Sequence, residues 1–227
     1  MEKYSLDMKS EILTVESFSK RKDIANSRRP VLVRLSNLIN KDSFVSYFLD
    51  EMFNYSNNGN SSYSDGQIKF KDHLNNNDSK YIFHNTCDTP LFDIVDSLIP
   101  KFKIDSKFIK SRIYSGRRDT GSHFHYHPAA VNYLISGRKI WLMFPTSHKN
   151  YSYAKDNFNY GTLSGSTREW YDKNISTLSS KVDGLIEFIQ ESGTAVVIPS
   201  GFYHFVMNLE DVIGITYSWD TAFFFYE

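Results

Sequence analysis

One cysteine, Cys87, stands in the 227 residues. A lone thiol excludes an intramolecular disulfide and any metal site built from several thiolates. Long apolar runs are missing too. No stretch approaches the roughly 18 consecutive apolar residues that a membrane-crossing helix needs, and none is expected. Residues 1–18 alternate charged and apolar side chains without the apolar stretch of a secretory signal. These absences predict a soluble, cytoplasmic protein. Nor does charge of one sign prevail: 26 Lys plus Arg balance 26 Asp plus Glu. A neutral chain has no electrostatic footprint for nucleic acid or an anionic membrane, and neither is expected as a partner. The short stretch Ser27-Arg28-Arg29-Pro30 reads as a solvated loop.

Aromatic side chains are plentiful, with 18 Phe and 15 Tyr. They favour sheet and an aromatic-lined cleft. The length suits a single domain over residues 1–227 with a sizeable core. Residues 30–35 read as a first strand and 41–53 as a helix capped by Asn40. Asn-rich loops over 54–77 surround a hairpin-like excursion at 67–71, followed by a strand at 81–83. A helix over 90–99 ends at Pro100. From Phe108 the alternation turns to β, over 108–114, 122–127, 131–135 and 139–144. Ser136-Gly137 has the chemistry of a hairpin turn between the last two. Residues 146–181, polar and spotted with aromatics, form the candidate for a substrate-covering element. A short helix over 182–190 and strands at 194–198, 203–208 and 212–219 complete the pattern. The fold class is mainly β: one barrel with helices packed on it from the N-terminal side.

Chemistry concentrates in the histidines. Of seven, three fall at His123, His125 and His127, and His204 follows the turn Pro199-Ser200-Gly201. Side chains alternate along a strand, so 123, 125 and 127 are expected on one face. A His-x-His pair joined by one His from a distant strand supplies three imidazoles to one ion and leaves coordination positions open. Two frames satisfy the local pattern, His123 with His125 or His125 with His127. On spacing alone both frames stay open.

Ser122-x-x-His125-x-His127-Pro128, Asn132, Ser136-Gly137-Arg138-Lys139 and Trp141–Pro145 resemble the central motif of JmjC-domain, cupin-like 2-oxoglutarate oxygenases. Gly193 to His204, then Asn208-Leu209-Glu210 and Ile215 to Trp219, resemble that family's closing strands. The likeness runs from about residue 108 to 219. It implies a double-stranded β-helix, a jelly-roll or cupin-like barrel, with N-terminal helices packed on it. It further implies Fe(II) held by His125, His127 and His204, 2-oxoglutarate as co-substrate, and O2. Lys139 would take the distal carboxylate as a point charge, provided its strand face points inward. Ser122, Asn132 and Thr216 occupy positions where the family adds contacts to that co-substrate. His123 would lie beside the site as a supporting or substrate-contacting group.

The sequence departs from the family at one ligand, where His127 replaces the usual Asp or Glu. Three neutral ligands leave a ferrous site one positive charge higher than a carboxylate version does. The reading that follows is an iron- and 2-oxoglutarate-dependent hydroxylase acting on a protein, peptide or small molecule. Two others stay open: an altered JmjC fold that binds metal or 2-oxoglutarate without turnover, and a three-histidine cupin enzyme that does not use 2-oxoglutarate. Residues 220–227 are too short for the helices through which family members pair, which leaves a homodimer through another contact open.

Overall fold

A computed structural model describes residues 13–15, 29–34, 39–57, 64–76, 79–86, 109–158 and 166–219. The first half supplies β1 (Leu13–Val15), β2 (Val31–Arg34), α1 (Lys41–Phe48), β3 (Met52–Ser56), β4 (Gly66–Lys69), α2 (Phe70–Asn75) and β5 (Tyr81–Asn85). The second supplies β6 (Ile109–Gly116), β7 (Gly121–His125), β8 (Ala130–Ser136), β9 (Arg138–Pro145), α3 (Tyr151–Phe158), α4 (Thr167–Lys181), β10 (Ile186–Glu191), β11 (Thr194–Ile198), β12 (Phe202–Asn208) and β13 (Val212–Trp219). Two sheets form. One runs β1-β2-β11-β8-β13-β6-β5-β3-β4 and the other β10-β9-β12-β7. The fold is mainly β, as the alternation predicts, in two facing sheets of jelly-roll kind, antiparallel except where β1 runs parallel to β2.

Period-two alternation divides the buried apolar residues among four clusters. In β11, Ala195 and Val197 join the outer cluster while Val196 and Ile198 face the opposite sheet. The outer face of the larger sheet is covered by Phe44 and Phe48 of α1 and Phe70 of α2. Asn40 caps α1 by accepting from Ser43 N at 2.9 Å. On the far side, α3 and α4 lay Phe158, Trp170, Tyr171 and Leu178 against Phe144 and Phe205 of the smaller sheet. A capping box between Ser166 and Glu169 starts α4. Between the sheets Trp141, Met143, Val196 and Val206 pack together. Gln190 ties the two layers: its Oε1 accepts from Trp141 Nε1 at 2.9 Å, and its Nε2 donates to the Asn132 and Thr194 carbonyls at 3.0 and 3.1 Å.

Several expectations change. The helix at 41–53 stops at Phe48, and Met52 and Phe53 begin β3. The excursion at 67–71 is β4 running into α2. The expected helix at 182–190 is a strand, β10, because Ile186, Phe188 and Gln190 are the buried positions and repeat every two residues. Ser136-Gly137 does not close a hairpin. Strand β8 pairs in the larger sheet and β9 in the smaller, so the turn carries the chain from one layer to the other. Gly137 makes that corner with φ +86°, where an added Cβ would stand 2.3 Å from the Asp211 carbonyl. Within 146–181, the candidate substrate-covering element, the described residues form α3 and α4, which bury Phe158, Trp170 and Tyr171. The helix expected at 90–99 lies outside the described residues. No helix among those described is long and apolar enough to cross a membrane.

Candidate metal centre

The centre begins with a register fault. Opposite β12, His125 pairs with His204 but Ser122 pairs with Val206, so β7 spends three residues where β12 spends two. This is a β-bulge. Its consequence is that His123 and Phe124 both turn outward. His123 meets Trp170 and Phe205, and Phe124 meets Phe144 and Tyr203, all on the α3–α4 side. Strict alternation is therefore wrong for 123 and 125, and His123 is not beside the site but behind it. The bulge separates the two possible frames, leaving His125 and His127 on the inner side.

His125, His127 and His204 bring one ring nitrogen each within 4.8 Å of one another. Ring centroids stand 4.3 Å apart for His125 and His204, 4.7 Å for His127 and His204, and 5.5 Å for His125 and His127. Each ring is tied at Nδ1 to a main-chain carbonyl: His125 to His123 O at 2.7 Å, His127 to Pro128 O at 2.6 Å, and His204 to Phe202 O at 3.0 Å. A carbonyl only accepts, so each Nδ1 must carry the hydrogen. Every Nε2 is left with a lone pair. This is the outer support that orients metal-binding imidazoles, and the donor set fits a divalent transition ion. Burial holds the rings neutral. It lowers His125 to about 4, with the neighbouring His127 adding to the effect. His204 lies well below the ordinary range through burial and then its two partners. Burial also lowers His127, with Arg112 contributing.

A second group of polar side chains faces the same inter-sheet space. On β9 and β12 the pairs are Met143 with His204, Trp141 with Val206, and Lys139 with Asn208. Lys139 thus points inward, four residues or roughly 13 Å along the strand from the histidine row. It is 1% exposed, and burial alone lowers its amine to about 7. Its Nζ rests 3.7 Å from the centroid of the Tyr114 ring. Across the space, Asn132 and Thr216 are direct partners on β8 and β13, both buried on the inner face. Ser122 stands between the two rows, opposite Val206. The structure thus brings His125, His127 and His204 together at one position and Lys139 and Asn132 at another, with Tyr114 joining the latter pair. Sequence reading missed Tyr114. The signal was available in the alternation of β6, which puts Arg112, Tyr114 and Gly116 on one face, but nothing local marked that face as inward.

The family comparison falls on the same elements. The JmjC family, described as "JmjC domain, hydroxylase", matches residues 112–219. The match takes in just under half of the 227 residues, and over that stretch the chain is similar to the JmjC family. Zebrafish (Danio rerio) "2-oxoglutarate and iron-dependent oxygenase JMJD4" is 27% identical over 185 residues, 78% of this chain and 40% of that protein. The human (Homo sapiens) protein of the same name is 29% identical over 115 residues, 49% of this chain and 27% of its own length. "Arginine-specific demethylase JMJ20" of Arabidopsis thaliana is 27% identical over 119 residues, 49% of this chain and 24% of that protein. The chain therefore spans less than half the length of these curated relatives. The JmjC match begins at Arg112 in β6 and ends at Trp219 in β13, so it takes in every residue named above at both rows.

Proposed function

We propose that this chain is an Fe(II)- and 2-oxoglutarate-dependent oxygenase, a hydroxylase of a protein, peptide or small-molecule substrate. In this reading His125, His127 and His204 hold the iron through Nε2. Lys139 receives the distal carboxylate of 2-oxoglutarate, and Ser122, Asn132 and Thr216 line its path. The observation that carries the reading is the pairing of two features in one inter-sheet space. Three imidazoles present lone pairs to a common point, and a buried lysine with no neighbouring carboxylate among the described residues stands further along the barrel.

A lysine buried without a counter-charge is costly unless an anion arrives to meet it. A five-carbon diacid reaching from the histidine row toward Lys139 supplies that anion. When bound, the metal and co-substrate supply oxidative decarboxylation: O2 and 2-oxoglutarate yield succinate and CO2, and the second oxygen atom enters a C–H bond of the substrate. The residues do the rest. Main-chain carbonyls hold the three Nδ1 hydrogens, so the rings cannot turn. Trp141, Val206 and Phe188 exclude water from the floor between the sheets.

The test is succinate formation from 2-oxoglutarate with Fe(II) and ascorbate, in the wild type and in His127→Asp. Succinate from the wild type supports the oxygenase reading. A second reading, binding without turnover, is favoured by His127 itself, which removes the anionic ligand usual in the family. Succinate from His127→Asp alone, with 2-oxoglutarate bound by both proteins, would establish that second reading instead. Absence of 2-oxoglutarate binding in both proteins overturns both.

A further inference from the structure

Tyr114 is a wholly buried phenol in the middle of β6. Its neighbour in the sheet is Gly214 of β13, and the next strand across is β8. The side chain does not stand upright from the sheet. It lies down across β13, and its hydroxyl reaches β8. There it makes a three-centre hydrogen bond, 2.7 Å to Asn132 Oδ1 and 2.9 Å to the Tyr133 carbonyl. Only a residue without a side chain at 214 permits this: an added Cβ would stand 2.1 Å from the Tyr114 hydroxyl oxygen. The ring so placed lies under Lys139, whose Nζ sits 3.7 Å from its centroid.

One side chain therefore touches two of the groups assigned to the co-substrate. The ring face offers the lysine a cation-stabilising surface inside the barrel, where no carboxylate among the described residues does so. The hydroxyl engages Asn132 at Oδ1. An amide held by its oxygen has its Nδ2 hydrogens left as the groups that meet a ligand, and a carboxylate needs donors. An amide free to flip would present an acceptor half the time and repel the same anion.

We propose that Tyr114 is a positioning residue for the distal carboxylate of the co-substrate, aligning Lys139 with its ring and Asn132 with its hydroxyl. The inference rests on the oxygenase reading above and adds a residue to it. Gly214 belongs to the same device, as the gap over which the phenol passes.

The experiment uses the full chain loaded with Mn(II) and compares two ligands by calorimetry. One is 2-oxoglutarate. The other is 2-oxobutyrate, which keeps the 2-oxo acid head and lacks the distal carboxylate. The wild type is expected to prefer 2-oxoglutarate. Tyr114→Phe keeps the ring and loses the hydrogen bond, and 2-oxoglutarate affinity should fall about five- to tenfold with 2-oxobutyrate unchanged. Tyr114→Leu loses the ring as well and should fall further. In an Asn132→Ala background, Tyr114→Phe should add little, because the hydroxyl acts through Asn132. Unchanged 2-oxoglutarate affinity in Tyr114→Phe overturns the inference. So does an equal loss for both acids, which marks packing damage, or full additivity with Asn132→Ala. A wild type that binds both acids alike removes the co-substrate assignment itself, and this inference with it.

Discussion

His125 and His204 are direct cross-strand partners on β7 and β12, with ring centroids 4.3 Å apart. The pair is placed by the bulge that turns His123 away. His204→Ala and His125→Ala should each reduce bound Mn(II) or Fe(II) from one equivalent to none, measured on dialysed protein by metal analysis. His123→Ala should retain the full equivalent. Loss of metal from the His123 variant would mean that the other frame is the functional one.

Lys139 gives a pH dependence whose sign can be worked out. Its amine falls from the ordinary 10.5 to about 7 because it is buried. Between those two values the unfolded chain binds a proton that the folded chain does not. Stability should therefore rise as pH increases from about 7 toward 10.5. Lys139→Met removes this slope and, at neutral pH, should raise the melting temperature by at least about 3 °C. The same variant should abolish measurable 2-oxoglutarate binding. A lower melting temperature would mean that the lysine has an internal partner and is not held ready for a ligand.

The same amine should take up a proton when a dicarboxylate enters, since the anion restores the charged form. Calorimetric titration of 2-oxoglutarate at pH 8 in two buffers of different ionisation enthalpy should show net proton uptake. Identical heats in both buffers would exclude this linkage.

Gln190 holds Trp141 on one side and the carbonyls of Asn132 and Thr194 on the other. Gln190→Leu strands a buried indole N–H and two carbonyls that lose a partner. The expected loss is about 1–3 kcal/mol for each group left unsatisfied, read from a urea transition. A change below about 0.5 kcal/mol would show that other partners replace the amide.

Apart from β10, the strands between Ile109 and Trp219 were legible because apolar and polar residues alternate there and glycine marks the corners. The two rows of site residues were legible through the family likeness and not through periodicity. His123 shows why. Alternation alone puts it with His125, and only the pairing of Ser122 with Val206 reveals the extra residue in β7. β10 was hidden for a related reason. Ile186-Glu187-Phe188-Ile189-Gln190 satisfies a helical pattern as well as a strand, and what selects the strand is its partner β9. Tyr114 was hidden because its use depends on Gly214, a hundred residues away in sequence and adjacent in the sheet.

The orientation of all three imidazoles is written into peptide groups, at His123, Pro128 and Phe202, and into no side chain. Point substitution cannot delete a main-chain oxygen. The aim of these rings is consequently sheltered from genetic drift in a way that a carboxylate support would not be, and only insertion, deletion or distortion of the strands could undo it.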